Sequence, residues 1–186
     1  MKAYPYVLIA FGTALWVTPF FFTRTKGQVL VRIEKRARGG VLLQCLGYSI
    51  LWQSHFWEKL PEHWRTIVAL FLFVLACLIS WTAARSLGRQ FRFDAAIDSA
   101  HMLVRSGPYR VVRHPIYTSM FCVLLATGIV VSPLKLLLVS IAVFIAGTLI
   151  RMKIEDRLLE AQFGAEFVEY RQRVPGFLPF IKIPVR

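Results

Sequence analysis

The sequence predicts an all-α integral membrane protein, a bundle of five transmembrane helices with cytosolic carboxyl-terminal helices. Three observations predict it. Of 186 residues, 56% are apolar and 14% aromatic, more than a soluble domain of this length hides in one core. Five stretches free of Asp, Glu, Lys and Arg approach the roughly 20 residues a helix needs to cross a hydrocarbon layer of ~30 Å. The 23 Lys and Arg residues, which give a net charge of +13 against 10 Asp and Glu, are distributed unevenly between those stretches.

The first stretch runs from Tyr4 to Phe22. It is longer than the apolar core of a secretory signal, lacks a small-residue cleavage site and precedes a basic loop, so it is expected to stay as a helix of the mature protein. The second runs from Val41 to Trp57 and the third from Thr66 to Ala84. The fourth, Ile116 to Val131, and the fifth, Leu136 to Ile150, are short and joined by Ser132-Pro133-Leu134-Lys135. That spacing predicts a tight helical hairpin, tilted or not fully spanning. From Arg151 the fifth helix is expected to continue into the cytosol. Leu159, Phe163, Phe167 and Tyr170 recur at helical spacing, with Glu160, Glu166 and Glu169 elsewhere and Gly164 marking a break. This pattern predicts an amphipathic helix on the membrane surface or on the bundle.

Six basic residues lie between Thr23 and Gly39, six between Arg85 and Arg113, and seven from Arg151 onward, leaving Lys2, Lys59, Arg65 and Lys135 for the other side. The positive-inside rule then puts the amino terminus outside and the carboxyl terminus in the cytosol, in the inner membrane of a bacterium or the endoplasmic reticulum of a eukaryote. The charge reads as a topology signal, with attraction to anionic membrane lipids secondary and no nucleic-acid partner expected. Cys45, Cys77 and Cys122 sit within the stretches without metal-ligand spacing, which predicts packing roles and no metal. With no repeat, low-complexity tract or linker, residues 1–186 are expected to form a single domain. A transporter or channel ranks last, because the stretches carry no charge and their sizeable polar groups are Gln44, Gln53 and His55.

Chemistry-bearing residues crowd into two segments. In His101-Met-Leu-Val-Arg-Ser-Gly-Pro-Tyr-Arg-Val-Val-Arg-His-Pro-Ile-Tyr117, Gly107-Pro108 predicts a turn and Pro115 the first position of the fourth helix. His114 and Tyr117 are then held at the helix mouth, where free backbone N–H groups suit an anionic group such as a carboxylate. The plainer alternative is an interfacial belt, with Arg113 meeting phosphates and Tyr109 and Tyr117 at headgroup depth. In Arg151-Met-Lys-Ile-Glu155-Asp156-Arg157, Arg151 and Glu155 share a helix face, and as a surface ion pair they are worth only ~0.5 kcal/mol. Adjacent acids in a basic region suit a cationic ligand, a solvated helix face being the alternative.

These segments resemble the isoprenylcysteine carboxyl methyltransferases and their bacterial and archaeal relatives, and more distantly the phosphatidylethanolamine N-methyltransferases. The resemblance covers about His101 to Pro179. It rests on His101-x-Leu103-Val104, Gly107-x-Tyr109, Arg113-His114-Pro115-x-Tyr117, Arg151-x-x-x-Glu155, and Phe163-Gly164 followed by Tyr170 and Leu178-Pro179. It implies that His101, Met102, Leu103, Val104, Tyr109, His114, Pro115, Ile116 and Tyr117 surround S-adenosyl-L-methionine. It also implies that Glu155 and Asp156 add cofactor contacts, that Arg151 binds the substrate's carboxylate, and that Arg151 and Glu155 form the catalytic pair. Asp156 stands where relatives often carry a second Glu, and Phe167 where they often carry Tyr. The amino-terminal half carries no matching motif. The implied activity is methyl transfer to a lipid-like or prenylated acceptor drawn from the inner leaflet. An NADPH-dependent sterol-type reductase is the alternative enzyme, because those proteins resemble the same carboxyl-terminal helices.

Overall fold

The computed structural model describes residues 3–22, 30–33, 37–53, 61–88, 96–98 and 103–179. Six helices dominate: α1 (Tyr4–Phe22), α2 (Ala37–Ile50), α3 (His63–Leu87), α4 (Pro115–Val131), α5 (Leu134–Phe163) and α6 (Ala165–Arg173). Two short strands, β1 (Leu30–Ile33) and β2 (Ala96–Asp98), add an element the all-α expectation lacked. They pair antiparallel, Leu30 opposite Asp98 and Ile33 opposite Ala96, with an irregularity between Leu30 and Arg32. The segments that follow α1 and α3 therefore meet through this pair.

Among the described residues, three helices, α1, α3 and α5, are long and apolar enough to cross a membrane, and α4 is a shorter apolar helix. At 1.5 Å per residue, the 17 residues of α4 extend about 26 Å and the 14 of α2 about 21 Å. The expected second stretch differs most from the structure. Its helix starts at Ala37, four residues before the charge-free run, and closes in a turn at Leu51 to Gln53. Ser54 to Trp57, the rest of that stretch, lie outside the described residues. Hydropathy locates apolar sequence, whereas a helix starts where its backbone bonds begin, so Arg38 and two glycines join α2. The 30 residues of α5 extend about 45 Å, about 15 Å more than a hydrocarbon layer of ~30 Å.

Packing follows the order α2, α5, α4, α3, α1. The central α4 is buried on most sides, including Cys122, Val123, Leu124 and Ala126, and meets Phe73 and Ala76 of α3 and Phe144 of α5 in the main core. Outward faces are apolar: Val7, Phe11, Phe21, Leu42, Ile67, Phe71, Leu78 and Leu138 are all at least half exposed, as expected where the surrounding solvent is lipid. Helices approach through small residues and interhelical hydrogen bonds rather than through hydrophobic driving force. A Cβ on Gly12 would lie 2.6 Å from the Phe73 ring. Trp16 Nε1 donates to Ser119 Oγ at 3.0 Å, and the Tyr48 hydroxyl to the Met120 carbonyl at 2.6 Å.

The sequence punctuation falls where expected. Pro115 opens α4, Ser132-Pro133 separates α4 from α5, and Gly164, at φ 54°, ends α5 and begins α6. Phe167 and Tyr170 of α6 are buried, so the amphipathic tail packs on the bundle. It folds back over the mouth of α4.

Candidate active site

The site is assembled at that mouth. Gly107 adopts φ 58°, where a Cβ is strained, and one there would also lie 2.4 Å from Ser86 Oγ. It starts a single 3-10 turn, Gly107–Arg110, that buries Tyr109. The chain then descends through Arg113 and His114 into α4. Across this entry runs a strap formed by residues 175–177. Arg113 N–H donates to the Pro175 carbonyl and His114 N–H to the Gly176 carbonyl, both at 2.9 Å, and Thr118 Oγ1 donates to the Phe177 carbonyl at 2.6 Å. The His114 amide, one of the groups expected to face a ligand, is thus taken by the chain itself.

Below the strap lies a continuous array of charges. Arg113 donates through Nη1 to the carbonyls of Val174 (2.6 Å) and Arg171 (3.2 Å), and through Nη2 to Asp156 Oδ2 at 2.7 Å. The other Asp156 oxygen lies 2.9 Å from His114 Nε2, and His114 Nδ1 lies 3.4 Å from Glu155 Oε2. Glu155 Oε1 accepts from the Tyr117 hydroxyl and pairs with Arg151 Nη2 at 3.1 Å. Arg151 Nε donates to the Tyr117 hydroxyl at 2.5 Å. The Arg151 guanidinium lies 5.6 Å from the Tyr117 ring centre, and the His114 and Tyr117 rings stack at 5.7 Å.

Both plainer readings fail on burial. Arg113 is 8% exposed and Arg151 8%, so neither is a headgroup-facing belt residue or one end of a surface ion pair. Tyr109 and Tyr117 are buried too. The adjacent acids also divide their work. Asp156 is 3% exposed in its side chain and its oxygens meet Arg113 and His114, whereas Glu155 keeps 22% of its side chain exposed. Glu155 is the acid that can meet a ligand.

His114 sits between the two acids. Burial by itself lowers its pKa, but hydrogen bonds to Asp156 and Glu155, together with their charge, outweigh burial and raise it from 6.5 to about 9. A folded-state pKa above the unfolded value stabilises fully below about pH 6.5 and loses that contribution as pH rises through about 9. Thermal unfolding in detergent is therefore expected to be level between about pH 5 and 6.5, above the carboxylate range, and to shift to lower temperature by about pH 9 to 9.5. An unfolding temperature constant across that window would contradict the assignment.

Of the residues singled out from sequence, His114, Tyr117, Arg151, Glu155 and Asp156 come together in this array, with Tyr109 buried in the 3-10 turn and Pro115 buried at the start of α4. Leu103 and Val104 are half-buried ahead of the 3-10 turn, and Ile116 packs beside Phe20 and Ala84. His101 and Met102 lie outside the described residues. Sequence reasoning missed Arg113, Thr118 and the strap as parts of the site. A signal for Arg113 existed, since an acid pair carried into a bundle requires cations beside it. Tyr170, an apolar helix position and a motif residue in the sequence, has a hydroxyl that donates to the Tyr109 carbonyl at 2.6 Å. Arg105 covers it, pairing with Glu166 at 2.8 Å and lying 5.6 Å from the Tyr170 ring centre. Among the described residues, no group of three or more His, Cys, Asp or Glu is placed to hold a metal ion.

The family model described as phospholipid methyltransferase matches residues 64–166, from α3 into α6. Protein-S-isoprenylcysteine O-methyltransferase B of Arabidopsis thaliana is 30% identical over 155 residues, 80% of this chain and 76% of that protein. The chain belongs to this methyltransferase family. Protein-S-isoprenylcysteine O-methyltransferase of Saccharomyces cerevisiae is 28% identical over 78% of this chain and 62% of its own length. The Homo sapiens protein of that name is 30% identical over 70% of this chain and 47% of its own length. Membership decides for a methyltransferase over the reductase alternative. It also makes this a membrane enzyme, in keeping with the apolar helices.

Proposed function

We propose that this methyltransferase transfers a methyl group from S-adenosylmethionine to the carboxylate of a lipid-like acceptor, with an S-prenylated cysteine as the first class to test. The observation that carries the reading is the Arg151–Tyr117–Glu155 arrangement, a buried two-pronged cation and a partly open carboxylate sharing one hydroxyl.

The donor set suits the cofactor. Glu155 and the Tyr117 ring are complementary to a sulfonium and an ammonium. Bound S-adenosylmethionine supplies an electrophilic methyl group on sulfur. The Arg151 fork grips an acceptor carboxylate through paired donors and orients it. Burial around the fork removes water, the competing nucleophile. A carboxylate is already ionised at neutral pH and needs no general base. A phospholipid amine has to shed a proton first, and both ring nitrogens of the cluster's histidine already face Asp156 and Glu155, so neither is placed to take one. This observation favours O-methylation over N-methylation.

In this reading all five helices from α1 to α5 lie in the bilayer, with the amino terminus outside and α6 and the site at the cytosolic face. The acceptor enters from the inner leaflet and the cofactor from the cytosol. The test is transfer of radiolabelled methyl by the full chain in sealed vesicles, with N-acetyl-S-farnesylcysteine as acceptor. We expect a base-labile methyl ester, none when the carboxyl is already esterified, and use of the cofactor only from the cytosolic face. Label appearing on phosphatidylethanolamine instead would overturn the choice of acceptor, and turnover from outside would overturn the orientation.

A further inference from the structure

Arg151 is held from two sides, and the second side comes from α2, which precedes residues 64–166 of the family-model match. Its guanidinium meets Tyr117 and Glu155. Its stem rests against Gly40 of α2, where a Cβ would lie 2.6 Å from Arg151 Cγ and 2.7 Å from the Gly147 carbonyl. The relation is reciprocal, because a Cβ on Gly147 would lie 2.6 Å from the Gly40 carbonyl. The backbones of α2 and α5 therefore touch directly one turn before Arg151. Two further rungs fix the register of the helices: Gln44 Nε2 donates to Thr148 Oγ1 at 3.0 Å, and Ser140 Oγ to the Gly47 carbonyl at 2.7 Å. Gly40 is buried in this seam, and its neighbour Gly39 is exposed with no atom within 4 Å of an added Cβ.

We propose that Gly40 is a positioning residue for Arg151, so that α2 sets where the acceptor carboxylate is held. An arginine side chain left unrestrained samples many rotamers, and a fork misplaced by about 1 Å can cost on the order of 10²-fold in rate. Gly40 gives the stem its path: no larger residue fits between Cγ of Arg151 and the carbonyl of Gly147. The inference rests on the role proposed above for Arg151 in binding the acceptor.

The test compares Gly40→Ala with two controls in the full-length protein. Gly39→Ala adds the same methyl group to open space. Gly47→Ala disturbs the same seam about two turns away, where a Cβ meets Phe144 and the Ser140 carbonyl at 3.1 Å. Gly40→Ala is expected to lower kcat/KM for N-acetyl-S-farnesylcysteine by about tenfold or more, with the Kd for S-adenosylhomocysteine unchanged within about twofold. Gly39→Ala is expected to leave both unchanged, and Gly47→Ala to lower thermal stability without the acceptor effect. Equal acceptor losses in Gly40→Ala and Gly47→Ala, or a parallel loss of S-adenosylhomocysteine affinity in Gly40→Ala, would overturn the proposal. A second measurement needs no acceptor. Because Arg151→Ala removes Cγ, the thermal destabilisation by Gly40→Ala is expected to be smaller in an Arg151→Ala background than in the wild type. Additive effects would also overturn the proposal. If the wild type fails to methylate the farnesylated probe, the acceptor reading falls, and this cycle still decides whether Gly40 holds Arg151.

Discussion

Replacing Asp156 with alanine is expected to destabilise the protein by about 3–5 kcal/mol, the cost of leaving a buried charge without its partner. Asp156 is 3% exposed in its side chain and faces two cations, Arg113 Nη2 at 2.7 Å and His114 Nε2 at 2.9 Å. Without the carboxylate, Arg113 keeps its bonds to the Arg171 and Val174 carbonyls but has no opposing charge, and His114 keeps only the longer contact to Glu155. The loss spreads, because Arg113 and His114 also hold the 175–177 strap through their amides. Glu169→Ala provides the contrast. It breaks the exposed Arg173–Glu169 pair, in which both side chains are more than half exposed, and surface pairs of that kind contribute about 0–1 kcal/mol. Thermal unfolding in detergent checks both. Similar small shifts in the two variants would mean that the buried cluster contributes nothing beyond a surface pair.

How much of this arrangement the sequence reveals depends on the range of each interaction. Gly164, Pro115 and Ser132-Pro133 act on their own backbone, so their effect is readable from a few residues. Charge-free runs locate α1, α3, α4 and the first part of α5 for the same reason. The boundaries of α2 escape this reading, since its first turn is anchored by Gly40 meeting Gly147, a contact across more than a hundred positions. The same limit applies to the acid pair. Spacing puts Arg151 beside Glu155, but it says nothing of Tyr117 lying between them or of Arg113 taking Asp156. Residue types mark candidates, and the fold assigns their partners. Glu155 and Asp156 are adjacent in sequence, and only the structure separates the partly open acid from the one consumed by the scaffold. The pairing of β1 with β2 is longer in range still, joining two loops with no strand pattern strong enough to announce it.

Arg151 and Glu155 are expected to fail differently when replaced, despite their ion pair. As a helix-surface pair, either replacement would cost at most ~1 kcal/mol and leave both ligands unaffected. The structure excludes that simple case, since the Arg151 side chain is 9% exposed and the Tyr117 hydroxyl links the two, accepting from Arg151 and donating to Glu155. Glu155→Gln keeps the shape and removes the charge beside a cationic ligand. Charge-assisted hydrogen bonds contribute about 1.5–3 kcal/mol, so affinity for S-adenosylmethionine is expected to fall roughly ten- to hundredfold. Arg151→Lys keeps the charge and loses the paired donors. It is expected to leave cofactor affinity within about threefold and to depress turnover on the order of 10²-fold, because an ammonium does not fix a carboxylate in one orientation. Tyr117→Phe removes the shared hydroxyl and is expected to show part of both effects, as the guanidinium of Arg151 and the carboxylate of Glu155 each lose a restraint. Calorimetry with S-adenosylhomocysteine, beside turnover of the farnesylated acceptor, separates these outcomes. Equal loss of cofactor affinity in Glu155→Gln and Arg151→Lys would mean that the pair acts as one unit on the cofactor. Arg151 would then have no separate role toward the acceptor.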